Sequence, residues 1–210
     1  MNFLRKHWFD LGGLFTIITD IGIFCFYSSM TNYQILMWLS LTSLFLHQLE
    51  EYRINGTFPG MANRVMFKSD IPDRFPLNTN SSLLINVCFG WTTYLLAAFV
   101  GERAIWLGLA TIMVSVGNIV GHTFLFNIKG KTFYNAGLVT SWLFFVPCTY
   151  FFFKIVHHEN LITSFDYLIG IPLGIALTIF GILKPMTWFA DKNTTYIFEQ
   201  RNLLPQDREK

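Results

Sequence analysis

Apolar residues along this chain are grouped into long runs, which short polar or charged segments separate. Six runs are each about 20 residues long, the length that a helix needs to cross roughly 30 Å of hydrocarbon. Their approximate bounds are 9–29, 32–51, 81–100, 104–128, 132–153 and 160–184. The pattern predicts an all-α, polytopic integral membrane bundle of about six transmembrane helices, formed as a single domain over residues 1–210.

The composition agrees with a multi-pass membrane protein and argues against other classes. Of the 210 residues, 52% are hydrophobic and only 13% are charged, whereas soluble domains carry about 25% charged residues. The formal net charge of +2 is too small to indicate a nucleic-acid partner. Cys25, Cys88 and Cys148 lie inside apolar runs without CxxC spacing, so we expect buried structural thiols rather than metal ligands. The lipid bilayer is the expected partner.

Basic residues are distributed unevenly between the two sides of the predicted membrane. If the spans alternate in direction, all but two of the 15 Lys and Arg residues fall on one side, and the exceptions are Arg103 and Lys154. Cytoplasmic loops are enriched in Lys and Arg. The sequence therefore predicts that both termini are cytoplasmic, with a cytoplasmic loop over 52–79 and a cytoplasmic tail over 185–210.

Three ionisable residues, His47, Glu50 and Glu51, close the second apolar run. His47 and Glu51 are four residues apart, so on a helix they lie on the same face. They can hold one metal ion between them or share a proton, and a second carboxylate beside them is a candidate general base. The alternative is a solvated charged cluster that ends the helix. Ionisable groups at membrane depth are costly and usually mark a functional site.

Polar residues also interrupt the fourth and fifth runs. Asn118 and His122 lie four residues apart and therefore on one helix face. The fifth run begins with four further polar or small residues, Tyr134, Gly137, Thr140 and Ser141. In a helix that starts near residue 132, Tyr134, Gly137 and Ser141 lie within about 80° of one face. The predicted orientation brings all these residues to the membrane level of His47, which indicates a pocket that faces the cytoplasm.

At these positions the chain resembles the HXXEE family of integral membrane proteins. His47-Gln-Leu-Glu50-Glu51 matches the HxxEE motif, and Asn118-xxx-His122 matches an N-x-x-x-H motif. Tyr134-Asn-Ala-Gly137 is similar to a Y-x-P-G motif, with Ala136 where the family has proline, so the bend expected there is weakened or is supplied by Gly137. The resemblance implies a bacterial inner-membrane protein and supports a site without naming a reaction.

A second likeness concerns the residue types more than their pattern. Glu50-Glu51-Tyr-Arg53 is similar to the E-E-x-x-x-R box of CAAX-type glutamic intramembrane proteases, but the arginine comes one position too early. The third motif of those proteases reads H-x-x-x-N, whereas this chain has Asn118 before His122. We treat this likeness as a chemical analogy only.

The predicted 52–79 loop begins directly after Glu51, and it contains the turn signals Asn55-Gly56 and Pro59-Gly60. Loops of this length are usually functional or disordered, so the segment is a candidate lid over the site. Its basic residues either meet anionic head groups or only set the topology; they are Arg53, Arg64, Lys68 and Arg74.

These observations lead to a hypothesis of a membrane-embedded, metal-dependent enzyme. His47, Glu51 and His122 are the expected ligands of one divalent metal, and Glu50 is the general base or an additional ligand. Asn118 and Tyr134 are expected to support the site. The mixed nitrogen and oxygen ligand set suits zinc, iron or manganese without choosing among them.

The expected reaction is hydrolysis of a lipidic or amphipathic small molecule, and metal-dependent oxidation is the second choice. The alternative class is non-enzymatic: a transporter, proton relay or binding protein that uses the same polar cluster. A third interpretation is that these groups only lock the helices together.

Overall fold

A computed structural model describes residues 2–208, and within that range the chain forms helices and no strands. The long or site-forming helices are α1 (Asn2–Phe26), α2 (32–54), α3 (58–66), α4 (79–100), α5 (105–130), α6 (Leu138–His158) and α7 (Ser164–Trp188). The C-terminal segment adds 3-10 turns at Gln200–Asn202 and Pro205–Asp207. The all-α prediction is confirmed.

Capping side chains explain where three of these helices begin. Before α2, the Thr31 hydroxyl accepts a hydrogen bond from the Gln34 amide, and the Gln34 side chain accepts one from the Thr31 amide. Reciprocal pairs of the same kind precede α4 and α7 at Asn78 and Thr163. Such capping boxes satisfy amide groups that the first helical turn leaves without partners.

Four ranges of the described chain are long and apolar enough to cross a membrane: Asn2–Ser29, Thr79–Gly130, Leu138–His158 and Ser164–Trp188. The second range reverses direction inside a 3-10 turn at Gly101–Ala104, where Gly101 has a φ of +59°. The Tyr94 hydroxyl on α4, before the turn, lies 2.8 Å from Ser115 Oγ on α5, after it, so α5 runs back along α4. The chain is therefore a membrane protein by its apolar helices, and the expected count of six spans stays a prediction.

Helix α2 is not one of the four apolar ranges, and its position explains why. It lies in the centre of the bundle, where most of its residues from Tyr33 to Tyr52 are buried. Among the buried side chains are polar ones: Ser40, Thr42, Ser43, His47, Gln48, Glu50 and Glu51. A helix that contacts other helices, rather than lipid, can carry polar groups that find partners within the protein.

The outer surface of the bundle is rich in apolar side chains. On α1 alone, Ile17, Ile21, Phe24 and Phe26 are all more than half exposed. Exposed apolar area of this extent is typical of a surface that faces lipid or a partner.

Three expectations about local structure were wrong. Cys25 and Cys88 are exposed, and only Cys148 is buried, because the first two lie on outward-facing sides of their helices. The fifth predicted span begins at Leu138 and not near 132, since Gly137 adopts a φ of +104° that an α-helix does not allow. Tyr134 and Gly137 therefore precede the helix and do not share a helix face with Ser141.

The segment predicted as a loop over 52–79 contains α3, and the C-terminal segment packs on it. The side-chain amide of Asn202 donates to the carbonyl oxygens of Tyr52 and Gly56 at 3.1 and 2.9 Å. A Cβ atom on Gly60 would lie 2.7 Å from the Leu204 amide nitrogen, so only glycine allows this approach. The tail thus holds α3 against the end of α2.

Candidate functional site

Three buried groups from two helices meet at one point. His47 and Glu51 follow one another by one turn of α2, and His122 comes from α5. The distance from Glu51 Oε1 to His122 Nε2 is 3.3 Å, and that to His47 Nε2 is 3.6 Å. The candidate ligand atoms of the three residues all lie within 4.8 Å of one another. Their exposed fractions are only 2%, 5% and 1% for His47, Glu51 and His122.

The hydrogen-bond network fixes the tautomer of His47. Its Nδ1 atom lies 3.0 Å from Thr140 Oγ1, and the single hydroxyl proton of Thr140 is directed at Glu50 Oε2, 2.6 Å away. The hydroxyl therefore donates to Glu50 and accepts from His47 Nδ1–H. In a neutral imidazole, Nε2 then carries the lone pair. This buried Nε2 atom has no hydrogen-bond partner among residues 2–208.

A separate network fixes His122 in the same way. The Asn135 amide nitrogen donates to the His122 carbonyl oxygen and to Asn127 Oδ1, both at 2.8 Å. Both amide protons of Asn135 are thus used, and its Oδ1 atom accepts from His122 Nδ1–H at 2.6 Å. The Nε2 lone pair of a neutral His122 therefore points at Glu51, as that of His47 does.

Glu50 lies beside the cluster but faces α6. Its Oε2 atom accepts from the Thr140 amide at 2.8 Å, and its Oε1 atom accepts from the Tyr134 hydroxyl at 2.9 Å. Tyr134 precedes α6 and is partly exposed. Burial and then the hydrogen bond to Glu50 raise the pKa of Tyr134, although Asn55 acts in the opposite direction. The phenol therefore stays protonated near neutral pH and serves as a donor.

Gly137 supplies the bend that brings the start of α6 to the site. Its φ of +104° is accessible to glycine and rarely to other residues. A Cβ atom at this position would also lie 2.4 Å from His122 Cε1, which is an overlap. The bend therefore does not need a proline at position 136, where Ala136 is buried against neighbouring side chains.

Aromatic rings surround the cluster and exclude water from most of it. The ring of Phe145 lies 4.7 Å from that of His47, and the rings of Phe126 and Phe58 lie 5.1 and 5.9 Å from that of His122, all between centroids. A cavity of about 60 Å³ remains beside the cluster, lined by residues that include His47 and Glu51. A water molecule occupies about 30 Å³ in the liquid, so the cavity accommodates an ion and one or two waters.

The geometry suits a divalent metal with a small adjustment. Ligand atoms at 2.0–2.1 Å from a tetrahedral metal are about 3.4 Å apart, close to the two distances from Glu51 to the histidines. A separation as wide as 4.8 Å has to shorten on binding. Each imidazole donates its Nδ1–H to a fixed oxygen and presents Nε2, which is the usual arrangement of histidine ligands and their outer partners.

The structure brings together the three residues that the sequence selected as metal ligands, and it separates Glu50 from them. Asn118 lines the same small cavity and its side chain faces His47, while its amide nitrogen donates to the Val114 carbonyl oxygen at 3.0 Å. Sequence reasoning gave no role to Asn135, and it named Thr140 only as a polar residue. The only feature of the sequence that pointed to Asn135 was its place inside the Tyr134–Gly137 motif, beside Tyr134, which was expected to support the site.

The 58–66 helix occupies the place of the expected lid, because Phe58 contacts both His122 and Tyr52. Three basic residues of the segment pair with acids: Arg53 with Asp10, Arg64 with Asp207 and Arg74 with Asp73. The pairs with Asp10 and Asp207 join the segment to α1 and to the C-terminal segment, whereas Asp73 is the neighbour of Arg74 in the chain. The charges of the three basic side chains are thus balanced within the protein.

Comparison with protein families gives one match. Residues 38–152, more than half of the chain, match a family described as protein of unknown function with HXXEE motif. The matched range contains all three residues of the buried cluster and their outer partners. Comparisons with curated proteins and with solved structures found no match.

Proposed function

The chain belongs to the HXXEE-motif family, and we propose that it is a membrane-embedded, metal-dependent hydrolase that acts on a lipidic or amphipathic substrate. The metal site consists of His47, Glu51 and His122. The observation that carries the proposal is the pair of Nε2 lone pairs directed at one carboxylate. Without a cation or a shared proton, three electron-rich atoms would face one another in a buried site, which is costly.

His47, Glu51 and His122 would hold a divalent metal with three protein ligands, the number that catalytic metal sites use. When bound, the metal would supply Lewis-acid chemistry and activate water for hydrolysis. The protein residues orient the site: Thr140 and Asn135 hold the two imidazoles, and Phe58 and Phe145 limit access of water. Zinc, iron and manganese all suit this ligand set, and a redox-active metal would open the alternative of oxidation.

Glu50 fits a positioning role better than that of general base or ligand. Both of its oxygens already accept hydrogen bonds, one from Tyr134, which precedes α6, and the other from the Thr140 amide and hydroxyl at the start of α6. Through Thr140 it acts on His47 Nδ1–H and thereby on the direction of the Nε2 lone pair. Charge-assisted hydrogen bonds of this kind are about twice as strong as neutral ones.

We also propose that α1, α2, α4, α5, α6 and α7 each cross the membrane, with both termini in the cytoplasm. The distribution of Lys and Arg supports this orientation. Helix α2 crosses as the central helix, although its composition is the least apolar. The site then lies near the cytoplasmic ends of the helices, within the inner membrane if the protein is bacterial.

Metal analysis of protein purified in mild detergent tests the proposal. After incubation with zinc, iron or manganese and removal of free ions, we expect one metal per wild-type chain. His122→Ala and the nearly isosteric Glu51→Gln should lose it. The control His157→Ala should keep it, because His157 lies at the opposite end of the bundle, where its Nε2 atom is 3.0 Å from the Tyr167 hydroxyl and its ring stacks with Phe153. A folded wild-type protein that takes up no stoichiometric metal would exclude the metalloenzyme.

One observation favours a second candidate, a proton relay. A hydrogen-bonded chain runs from His47 through Thr140 and Glu50 to the partly exposed Tyr134. A relay predicts metal-free protein in which Glu51→Gln abolishes pH-dependent transport in vesicles, whereas metal-loaded protein without such transport supports the hydrolase. If the variants only unfold, without either defect, the groups act as structural locks.

A further inference from the structure

A larger cavity adjoins the candidate metal site, and we propose that it binds one straight hydrocarbon chain of the substrate. This inference rests on the proposed function, because the reactive group would lie at the metal ligands. The cavity measures about 200 Å³ and is lined almost entirely by apolar groups. Its polar lining residues are His122, Asn118 and Thr178.

The larger cavity shares part of its wall with the small cavity at the metal ligands. Five residues line both cavities: Phe58, Val114, Asn118, Ile182 and Met186. His122 itself belongs to the wall of the larger one. A molecule that places a polar group at the His47 and Glu51 side can therefore extend an apolar part past His122.

Glycines explain why the space exists between α5 and α7. Toward the Ile105 end of α5 the two helices are in close contact: Cβ atoms at Gly170 and Gly174 would lie 2.7 and 2.8 Å from the carbonyl oxygens of Trp106 and Ala110. At Gly117, further along α5, the nearest atom to an added Cβ is Thr178 Oγ1 at 3.7 Å. The helices thus diverge toward the site.

The outer rim of the cavity lies on the apolar surface of the bundle. Leu125 and Leu183 on the rim are 42% and 51% exposed, whereas Met186 and His122 at its inner end are buried. A chain that is dissolved in the bilayer can therefore enter laterally between α5 and α7. A methylene group fills about as much space as a liquid water, roughly 30 Å³, so the cavity accommodates about seven methylenes.

Binding of alkyl hydroxamates to the cobalt-loaded protein tests this inference. The hydroxamate group chelates the metal, and the visible absorption of Co(II) reports both metal binding and hydroxamate binding. The series runs from two to twelve carbons. The key variant is Gly117→Leu, whose side chain fills the cavity, and Thr178→Leu is a second variant with the same purpose. Gly22→Leu is the matched control, since a Cβ at Gly22 has nothing within 4 Å.

We expect the ratio of wild-type to Gly117→Leu affinity to be about one for the two-carbon compound and more than tenfold at eight carbons. Each displaced methylene contributes about fourfold. Taking a ratio at each length cancels the partitioning of the compounds into detergent. The Gly22→Leu ratio should stay near one at every length.

Three outcomes would overturn the inference, and they are distinguishable. If Co(II) does not bind to wild-type protein, the proposed function fails and the chain site fails with it. If Co(II) binds but the ratio does not change with chain length in either cavity variant, only the hydrocarbon site fails. If native mass spectrometry shows a lipid that stays bound throughout the titration, the cavity holds a structural lipid and not substrate.

Discussion

Replacement of Thr140 by valine isolates the hydroxyl that connects Glu50 to His47. Valine has nearly the same shape, so the start of α6 keeps its packing. The change removes the acceptor of His47 Nδ1–H, 3.0 Å away, and one of the donors to Glu50. Glu50 Oε2 keeps the Thr140 amide at 2.8 Å, whereas the His47 ring loses the Thr140 hydroxyl and keeps only looser contacts with the Gly137 backbone and the Asn118 side chain.

The size of the expected loss in metal affinity follows from this stronger effect on His47 than on Glu50. A buried donor without a partner costs about 1–3 kcal/mol, and His47 is almost fully buried. An imidazole that is no longer held at Nδ1 also populates the tautomer with the proton on Nε2, and that tautomer cannot bind a metal through Nε2. Loss of an outer partner of a histidine ligand typically reduces metal affinity 10- to 100-fold. We expect a loss in this range for Thr140→Val.

Zinc affinity, measured by competition with a chromogenic chelator in detergent, checks the expectation. Thr140→Ser keeps the hydroxyl and should retain wild-type affinity. Thr149→Val is the matched control on the same helix, because the Thr149 hydroxyl is buried with no hydrogen-bond partner among the described residues. Its zinc affinity and melting temperature should not fall. Wild-type zinc affinity in folded Thr140→Val would refute the assigned tautomer of His47.

Two further substitutions test the neighbouring contacts. Gly137→Ala should reduce zinc affinity more than tenfold, because a Cβ there overlaps the His122 ring and the backbone has a φ of +104°. Gly22→Ala is the control and should leave zinc affinity unchanged. Equal zinc affinities of the two variants in equilibrium dialysis would contradict this prediction. Tyr134→Phe should reduce zinc affinity less than threefold, since Glu50 keeps its other donors; a tenfold loss would mean that Tyr134 acts on the metal site directly.

The sequence predicted the helical class and the three clustered residues because both depend on local patterns. Run length predicts helices, and spacing by four predicts that His47 and Glu51 share a face. The prediction that His122 lies near Glu51 also used the expected topology, which was inferred from the uneven distribution of Lys and Arg and stays a prediction.

The start of α6 could not be predicted in the same way. Apolar periodicity extends back to residue 132, but the positive φ of Gly137 prevents the helix from beginning before Leu138. The partners Asn135 and Thr140 depend on that bend, so their contacts with His122 and His47 were not readable from spacing. Likewise, α3 within 52–79 depends on the docked C-terminal segment, which is distant in sequence.

The central position of α2 has a consequence for the order in which the helices assemble during synthesis. This helix combines a modest apolar content with His47, Glu50 and Glu51, so it enters a bilayer less readily by itself than its neighbours do. Its polar groups find their partners on α5 and α6, which are synthesised about 70 to 90 residues later. If α2 crosses the membrane as proposed, it must therefore remain beside the helices made before it, or at the membrane surface, until His122 and Thr140 have been synthesised and the site can form.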